Sequence, residues 1–486
     1  MIAHLMTRAV GSLAVVFLAV GCAFGQSWPS EGPPPPLAVR PLDFPAYQLR
    51  TLPNGLQVVV VPHHEQPSVS FRMIVKAGAL QEPGDRPGVA SFVAALLNQG
   101  TTTRTASQIA DTIDSAGGLL GVGSGNEMTF VQGAVIKDQT DLALAVMADI
   151  VRNPAFSEQE IALQKQQALS SLQVGLDDPD FLADTAFTRL VFGAHPYGRP
   201  GQGTPEAINR LTREDLVAFH RTWFVPNNAL VAVVGDLSAD ELFAAVQRAF
   251  GDWERRDVPT VAVPTAPPVT HRVVVIDRPG SAQTEIRVGH LSIERTHADY
   301  IPFDLAIRIL GGEGANRLFG VLRSDRGLTY GASADLNTYR TAGVVVAETD
   351  TRTAATGESL RLMVDEFARL QREAVHPAEL RGAQDFMAGN FPLSIETSSS
   401  LAEQVLVRLF YGQDPSEIET YVDRVQQVTP ADIQRVARQL LKPNQLTIVL
   451  VGDAATFVNQ LRAVGFTDYD RIPVSEIDLG SPTLRR

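Results

Sequence analysis

Pro226-Asn227-Asn228 runs into Leu230-Val231-Ala232-Val233-Val234-Gly235-Asp236, and Pro443-Asn444-Gln445 runs into Thr447-Ile448-Val449-Leu450-Val451-Gly452-Asp453. Every equivalent position lies 217 residues from its counterpart. A short continuous apolar run bounded by turn residues reads as a buried strand. The helix before each run repeats as well. Thr212 and Asp215 match Thr429 and Asp432 at the same offset. In each copy a Thr N-cap is followed three residues on by a carboxylate, the start of a capping box. Further upstream, Arg72 matches Arg287 at an offset of 215, so insertions between the copies are small. A single long period of this kind predicts two copies of one α+β unit rather than a solenoid, whose repeats are shorter.

The duplication revises what length alone implies. At about 150 residues per domain, 486 residues suggest roughly three domains; the repeat reduces these to two. The first copy begins with apolar runs at Leu56 to Val61 and Val69 to Val75, which read as strands. Helical patterns follow at about 87–98, 107–116, 138–152 and 157–175, and again at 238–250 after the strand Leu230 to Val234. The Pro-rich stretch Val258 to Pro268 reads as a linker. Beyond it the order restarts, with strands at Val273 to Ile276 and Glu285 to Val288 and helices near 299–311 and 315–325.

The chain carries 41 Lys and Arg against 54 Asp and Glu, a net charge of −13. Such a surface repels phosphate backbones, so no nucleic-acid partner is expected. Residues 1–25 read as an export signal: Arg8 precedes the apolar run Val10 to Val20, and small residues follow. Two processing routes fit. Ala23-Phe24-Gly25 before Gln26 has the small-x-small form of a signal-peptidase site, and Ala19-Val20-Gly21-Cys22 is an imperfect lipobox that would place a lipid anchor on Cys22. Cleavage before Gln26 removes Arg8 and the one Cys, leaving a charge of −14 and excluding disulfides, thiolate metal sites and a Cys nucleophile. Either route places the protein in the periplasm. Residues 26–46, with Pro33 to Pro36, form a stiff tether.

Few motifs carry chemistry by pattern alone. His63-His64-Glu65 follows a strand, and adjacent strand residues face opposite ways, so a polar turn explains it better than a metal site. Gly117 to Gly125 lacks the spacing of a P-loop or dinucleotide fingerprint and reads as a turn, or as a loop that admits close backbone approach. No Gly-x-Ser-x-Gly elbow occurs. His195-Pro196-Tyr197-Gly198 reads as a structural loop. Arg323 should close a helix at the surface and Tyr330, seven residues on past Gly327, should open the next strand half-buried.

Taken together, several landmarks resemble the insulinase/pitrilysin superfamily of zinc peptidases, in the short two-domain branch that includes mitochondrial processing peptidase. They are Leu52-Pro53-Asn54-Gly55-Leu56, Gly88-Val89-Ala90, Gly100-Thr101, Asn153-Pro154-Ala155-Phe156, His195-Pro196-Tyr197-Gly198, Leu322-Arg323 and Gly327-Leu328-Thr329-Tyr330. The resemblance runs from about Tyr47 to Phe466. It implies two insulinase-like α+β domains at 47–255 and 272–466, joined by a linker at 256–271 and followed by a tail at 467–486.

Active members of that family carry His-x-x-Glu-His on the helix after Gly88, where the two His grip zinc and the Glu activates its water. At the corresponding positions this chain has Ser91, Ala94 and Ala95. The family's third ligand, a Glu, falls at about Ser171, and a supporting Glu at about Gln164. None of these side chains is an imidazole or a carboxylate, so the resemblance implies a degenerate zinc site, no cofactor in this chain and no self-sufficient peptidase. Arg323 and Tyr330, by contrast, match a family pair that reaches over the zinc to bind substrate. Arg donors and a Tyr hydroxyl suit a carbonyl oxygen gaining charge. The implied role is the non-catalytic half of a heterodimeric metallopeptidase. A homologous partner would carry the zinc, and peptides or unfolded segments would be the substrate. The alternative is a non-enzymatic scaffold of the same fold.

Overall fold

A computed structural model describes residues 45–312 and 316–485; the export segment and nearly all of the Pro-rich tether lie outside them. The described residues form one compact unit. It contains two six-stranded sheets. The first comprises β1 (Gln48–Thr51), β2 (Gln57–Pro62), β3 (Ser68–Val75), β4 (Leu119–Ser124), β5 (Thr129–Ile136) and β6 (Ala229–Gly235), in the order β1-β2-β6-β3-β5-β4. The second comprises β7 (Arg272–Asp277), β8 (Gln283–Ser292), β9 (Ala332–Thr338), β10 (Gly343–Arg352), β11 (Thr447–Gly452) and β12 (Asp470–Pro473), in the order β12-β7-β11-β8-β10-β9. The central pairs β2·β6 and β7·β11 are parallel, and the meanders β6-β3-β5-β4 and β11-β8-β10-β9 are antiparallel. The two halves are therefore copies, with β6 and β11 at the same place in each sheet.

The apolar runs are continuous because both faces of each sheet are covered. In β2, Val58 and Val60 join the core beneath the first half's own helices. Val59 and Val61 point the other way, into a separate cluster with Leu401, Ala402, Val405 and Leu406. Those four residues belong to a helix of the second half. The second sheet is treated reciprocally: Val274, Ile276, Val449 and Val451 pack against Leu182, Ala183, Ala186 and Phe187 of the first half. Each half thus lends one helix to the other half's sheet. Five helices matter below: α1 (Val89–Leu96), α2 (Glu158–Asp177), α3 (Pro179–Phe192), α4 (Tyr300–Gly311) and α5 (Ser398–Phe410). The exchanged pair is α3 and α5.

The ion pairs repeat the exchange. Arg72 on β3 donates to Glu403 of α5 at 3.0 Å. Its counterpart Arg287 on β8, 2% exposed, meets Asp184 of α3 at 2.5 Å, together with Asp180, Glu285 and Glu348. Both capping boxes form, with the Thr212 N–H donating to Asp215 at 2.9 Å and the Thr429 N–H to Asp432 at 3.0 Å.

Three expectations need correction. Residues 467–486 are not a tail: β12 joins the second sheet beside β7, and Ile472 and Leu484 are fully buried against α3. The short, charged sequence Asp470-Arg471-Ile472-Pro473 gives little strand signal. Gly117 to Gly125 is not merely a turn, because Leu119–Ser124 form β4, an edge strand that among the described residues pairs only with β5. The helix near 315–325 is a single α turn, Arg317–Phe319, passing into a wider π-type turn at Gly320–Asp325. Among the described residues no helix is long and apolar enough to cross a membrane.

Candidate functional site

Two places carry the family-derived positions. The first is α1. Gly88 opens it at φ +95°, and a Cβ there would stand 2.6 Å from the Gln202 carbonyl oxygen, so the close approach requires glycine. The side chain of Glu82, 8% exposed, accepts hydrogen bonds from the N–H groups of Gly88 and Ala90, each at 3.0 Å. Burial pushes the Glu82 carboxyl up to about 7, an effect that those amide donors and Arg199 only partly oppose. Glu82 anchors the helix start; sequence reading missed it because a single Glu in a loop carries no pattern.

On α1, Ser91 and Ala95 are half-buried and Ala94 is 2% exposed. Ser171, on α2, is exposed, and Gln164 of the same helix is half-buried. A zinc ion requires imidazole, thiolate or carboxylate donors, and Ser and Ala supply none. The residues at these positions do not fit the metal. Among the described residues no three His, Cys, Asp or Glu side chains gather in a way that could hold one. His63 and His64 lie just past the end of β2 and make separate contacts. Nδ1 of His64 lies 2.7 Å from Asp236, whereas Nδ1 of His63 lies 3.3 Å from the Ser398 hydroxyl. His195 is 2% exposed and its Nδ1 accepts the Tyr197 N–H at 3.2 Å, a structural cap.

The second place is the Arg323–Tyr330 turn. The two side chains meet: the Arg323 guanidinium lies 4.5 Å from the Tyr330 ring centroid and 5.0 Å from that of Phe319. Arg323 Nη1 also donates to the Tyr330 carbonyl oxygen at 2.8 Å. Gly327, at φ +60°, turns the chain between them. Tyr330 is not half-buried as its pattern suggested. It is 81% exposed and precedes β9 by two residues, because the turn throws its ring outward while Leu328 takes the buried position. Its hydroxyl has no partner among the described residues.

Tyr330 stands on the wall of a cavity of about 610 Å³. Asp180, Glu285, Glu348, Asp350 and Arg287 line the same space. Burial drives Glu285 up to about 7, with Arg287 opposing and Asp350 and Asp180 adding to the rise. With Asp335 also in the wall, five carboxylates outnumber the two arginines, Arg287 and Arg308, and the cavity is acidic.

Comparison with known proteins agrees with this architecture. Residues 57–200 match the insulinase family, peptidase family M16, and residues 210–387 match the peptidase M16 inactive domain. An uncharacterized zinc protease of Mycobacterium leprae is 29% identical over 422 residues, covering 85% of this chain and 94% of that protein. The crystal structure of a peptidase M16 inactive domain from Pseudomonas fluorescens superposes with a TM-score of 0.80 at 25% identity, covering 88% of this chain and 99% of that one. A protease from Helicobacter pylori matches with a TM-score of 0.78 at 21% identity, covering 84% and 100% of the two chains.

Proposed function

This chain belongs to the insulinase family, peptidase family M16, and from that membership we propose that it is a non-catalytic subunit of an exported heterodimeric zinc metallopeptidase. A homologous partner carries the zinc and the activating Glu. This chain contributes half of the chamber wall and lends Arg323 and Tyr330 to the partner's site. The observation that carries the reading is a contrast within one molecule. The helix face that would hold zinc is built of Ser91, Ala94 and Ala95, while Tyr330 stands 81% exposed beneath the Arg323 guanidinium with its hydroxyl unspent. A Tyr hydroxyl and a guanidinium fork held together can donate to a carbonyl oxygen as it gains charge. The substrate class is a peptide or an unfolded segment able to enter the chamber.

Co-expression with a zinc-bearing homologue tests the proposal. Arg323→Ala and Tyr330→Phe should each lower peptide hydrolysis by the pair while the two chains still co-purify. A second reading, a scaffold without catalysis, draws on one contact: Arg323 Nη1 is already bonded to the Tyr330 carbonyl oxygen at 2.8 Å, as a brace would be. Under that reading both variants leave the partner's activity untouched.

A further inference from the structure

The exchanged helices end alike. Leu182-Ala183, Arg189-Leu190 and Gly193 match Leu401-Ala402, Arg408-Leu409 and Gly412, each 219 residues apart. Both glycines take positive φ, 56° and 71°. Each is followed by a capped turn, in which His195 accepts the Tyr197 N–H at 3.2 Å and Asp414 the Ser416 N–H at 2.9 Å. Both arginines are buried, 6% and 7% exposed. Beside each lies a cavity, of about 570 Å³ next to Arg189 and about 310 Å³ next to Arg408, walled by the loop that leads into α1 or α4.

The two copies differ in what meets the arginine. Arg189 Nη1 donates to the Gly193 carbonyl at 2.9 Å, and Nη2 donates to the Gly480 carbonyl of the C-terminal segment. The first copy thus fills the place with an oxygen acceptor from its own chain. Arg408 bonds only Gln404, through Nη1, at 3.0 Å to the carbonyl and 2.7 Å to the side chain. Its Nε and Nη2 find no acceptor among the described residues.

A second guanidinium lines the same cavity. Arg295 lies 4.1 Å over the Tyr300 ring, and its Nε has no hydrogen-bond partner among the described residues. Among the described residues no carboxylate comes within 4.0 Å of Arg295 or Arg408, whereas the wall's carboxylates are engaged. Glu417 is held by Arg424 at 2.6 Å, and Asp414 caps its own turn. Burial, reinforced by the neighbouring Arg295 charge, pulls Arg408 down to about 10. Two cations in one pocket, neither with a carboxylate partner among the described residues, repel each other unless an anion sits between them.

We propose that the cavity between Arg295 and Arg408 binds a small oxyanion, a phosphate or a carboxylate, in the place that Gly480 occupies in the first copy. Guanidinium forks recognise such groups through paired N–H donors, and the stacked Tyr300 ring fixes one fork in orientation. The ion is either free or the terminal carboxylate of a peptide. Calorimetric titration of the full chain at constant ionic strength separates these sources. The probes are sodium phosphate, a short peptide with a free C-terminus, and its C-terminal amide.

Saturable binding is expected, weakened at least tenfold in Arg295→Gln and in Arg408→Gln. Binding of phosphate identifies a free-ion site. Binding of the free-acid peptide but not its amide identifies a peptide-end site. Arg295→Gln, at a half-exposed side chain, keeps the test decisive if Arg408→Gln fails to fold. Absence of saturable binding by every probe, or unchanged binding in Arg295→Gln, overturns the proposal.

Discussion

Glu82 is buried and Tyr330 exposed, and each makes its own prediction. The Glu82 carboxyl is raised from 4.5 to about 7 by burial. Because its folded value lies above its unfolded one, the stability tied to it is complete below about 4.5 and is lost as pH rises through about 7. At ~1.4 kcal/mol per unit the loss is roughly 3 kcal/mol. Glu82→Gln keeps an oxygen for the Gly88 and Ala90 amides but cannot ionise. Denaturant unfolding between pH 5 and 8 should fall less steeply for the variant than for the wild type, and parallel curves would contradict the assignment. Tyr330→Phe, at a side chain 81% exposed, should leave stability within about 0.5 kcal/mol. Any effect of that variant on a reconstituted peptidase is then chemical. The seven-residue spacing of Arg323 and Tyr330 was legible in the sequence, and the role proposed for them rests on family resemblance. The outward throw of the ring was not, because it depends on which residue the Gly327 turn delivers to the core.

At the scale of elements, the exchanged helices carry the account. Arg287 on β8 is nearly sealed from solvent and faces four carboxylates, whereas Arg72 on β3 pairs with a half-exposed Glu403. Removing the buried partner of a charge network costs more than removing an exposed one. Arg287→Met should lower unfolding free energy by about 3 kcal/mol or more, and Arg72→Met by clearly less. Equal losses would show that the network around Arg287 is not what ties α3 to the second sheet. Leu484→Ala, at a fully buried position against α3, should cost about 2–5 kcal/mol; a negligible change would restore the view of residues 467–486 as a tail. Strands β2, β6, β7 and β11 were legible because burial on both faces writes an uninterrupted apolar run. The exchange was not, because neither helix reveals from its own periodicity which sheet it will cover. The signal was nonetheless present. Leu-Ala-Asp/Glu followed by Arg-Leu recurs at an offset of 219, and Asp184 and Glu403 fall opposite the two arginines already matched at 215.

At the scale of the whole molecule, two copies of one unit clasp each other through lent helices, and they have diverged in chemistry. The first carries the helix face where the family resemblance places zinc, occupied here by Ser91, Ala94 and Ala95; the second carries an exposed Arg–Tyr pair whose tyrosine stands at the wall of an acidic cavity. The purified single chain should therefore hold no stoichiometric zinc by elemental analysis, and one zinc per chain would require a ligand set that these positions do not offer. The most direct test of the account is peptide hydrolysis by this chain reconstituted with a zinc-bearing homologue, comparing wild type with Tyr330→Phe and Arg323→Ala at equal recovery of the complex. Hydrolysis should fall on the order of 100-fold in either variant, the usual cost of one lost donor to a developing oxyanion. Undiminished hydrolysis in both would contradict it.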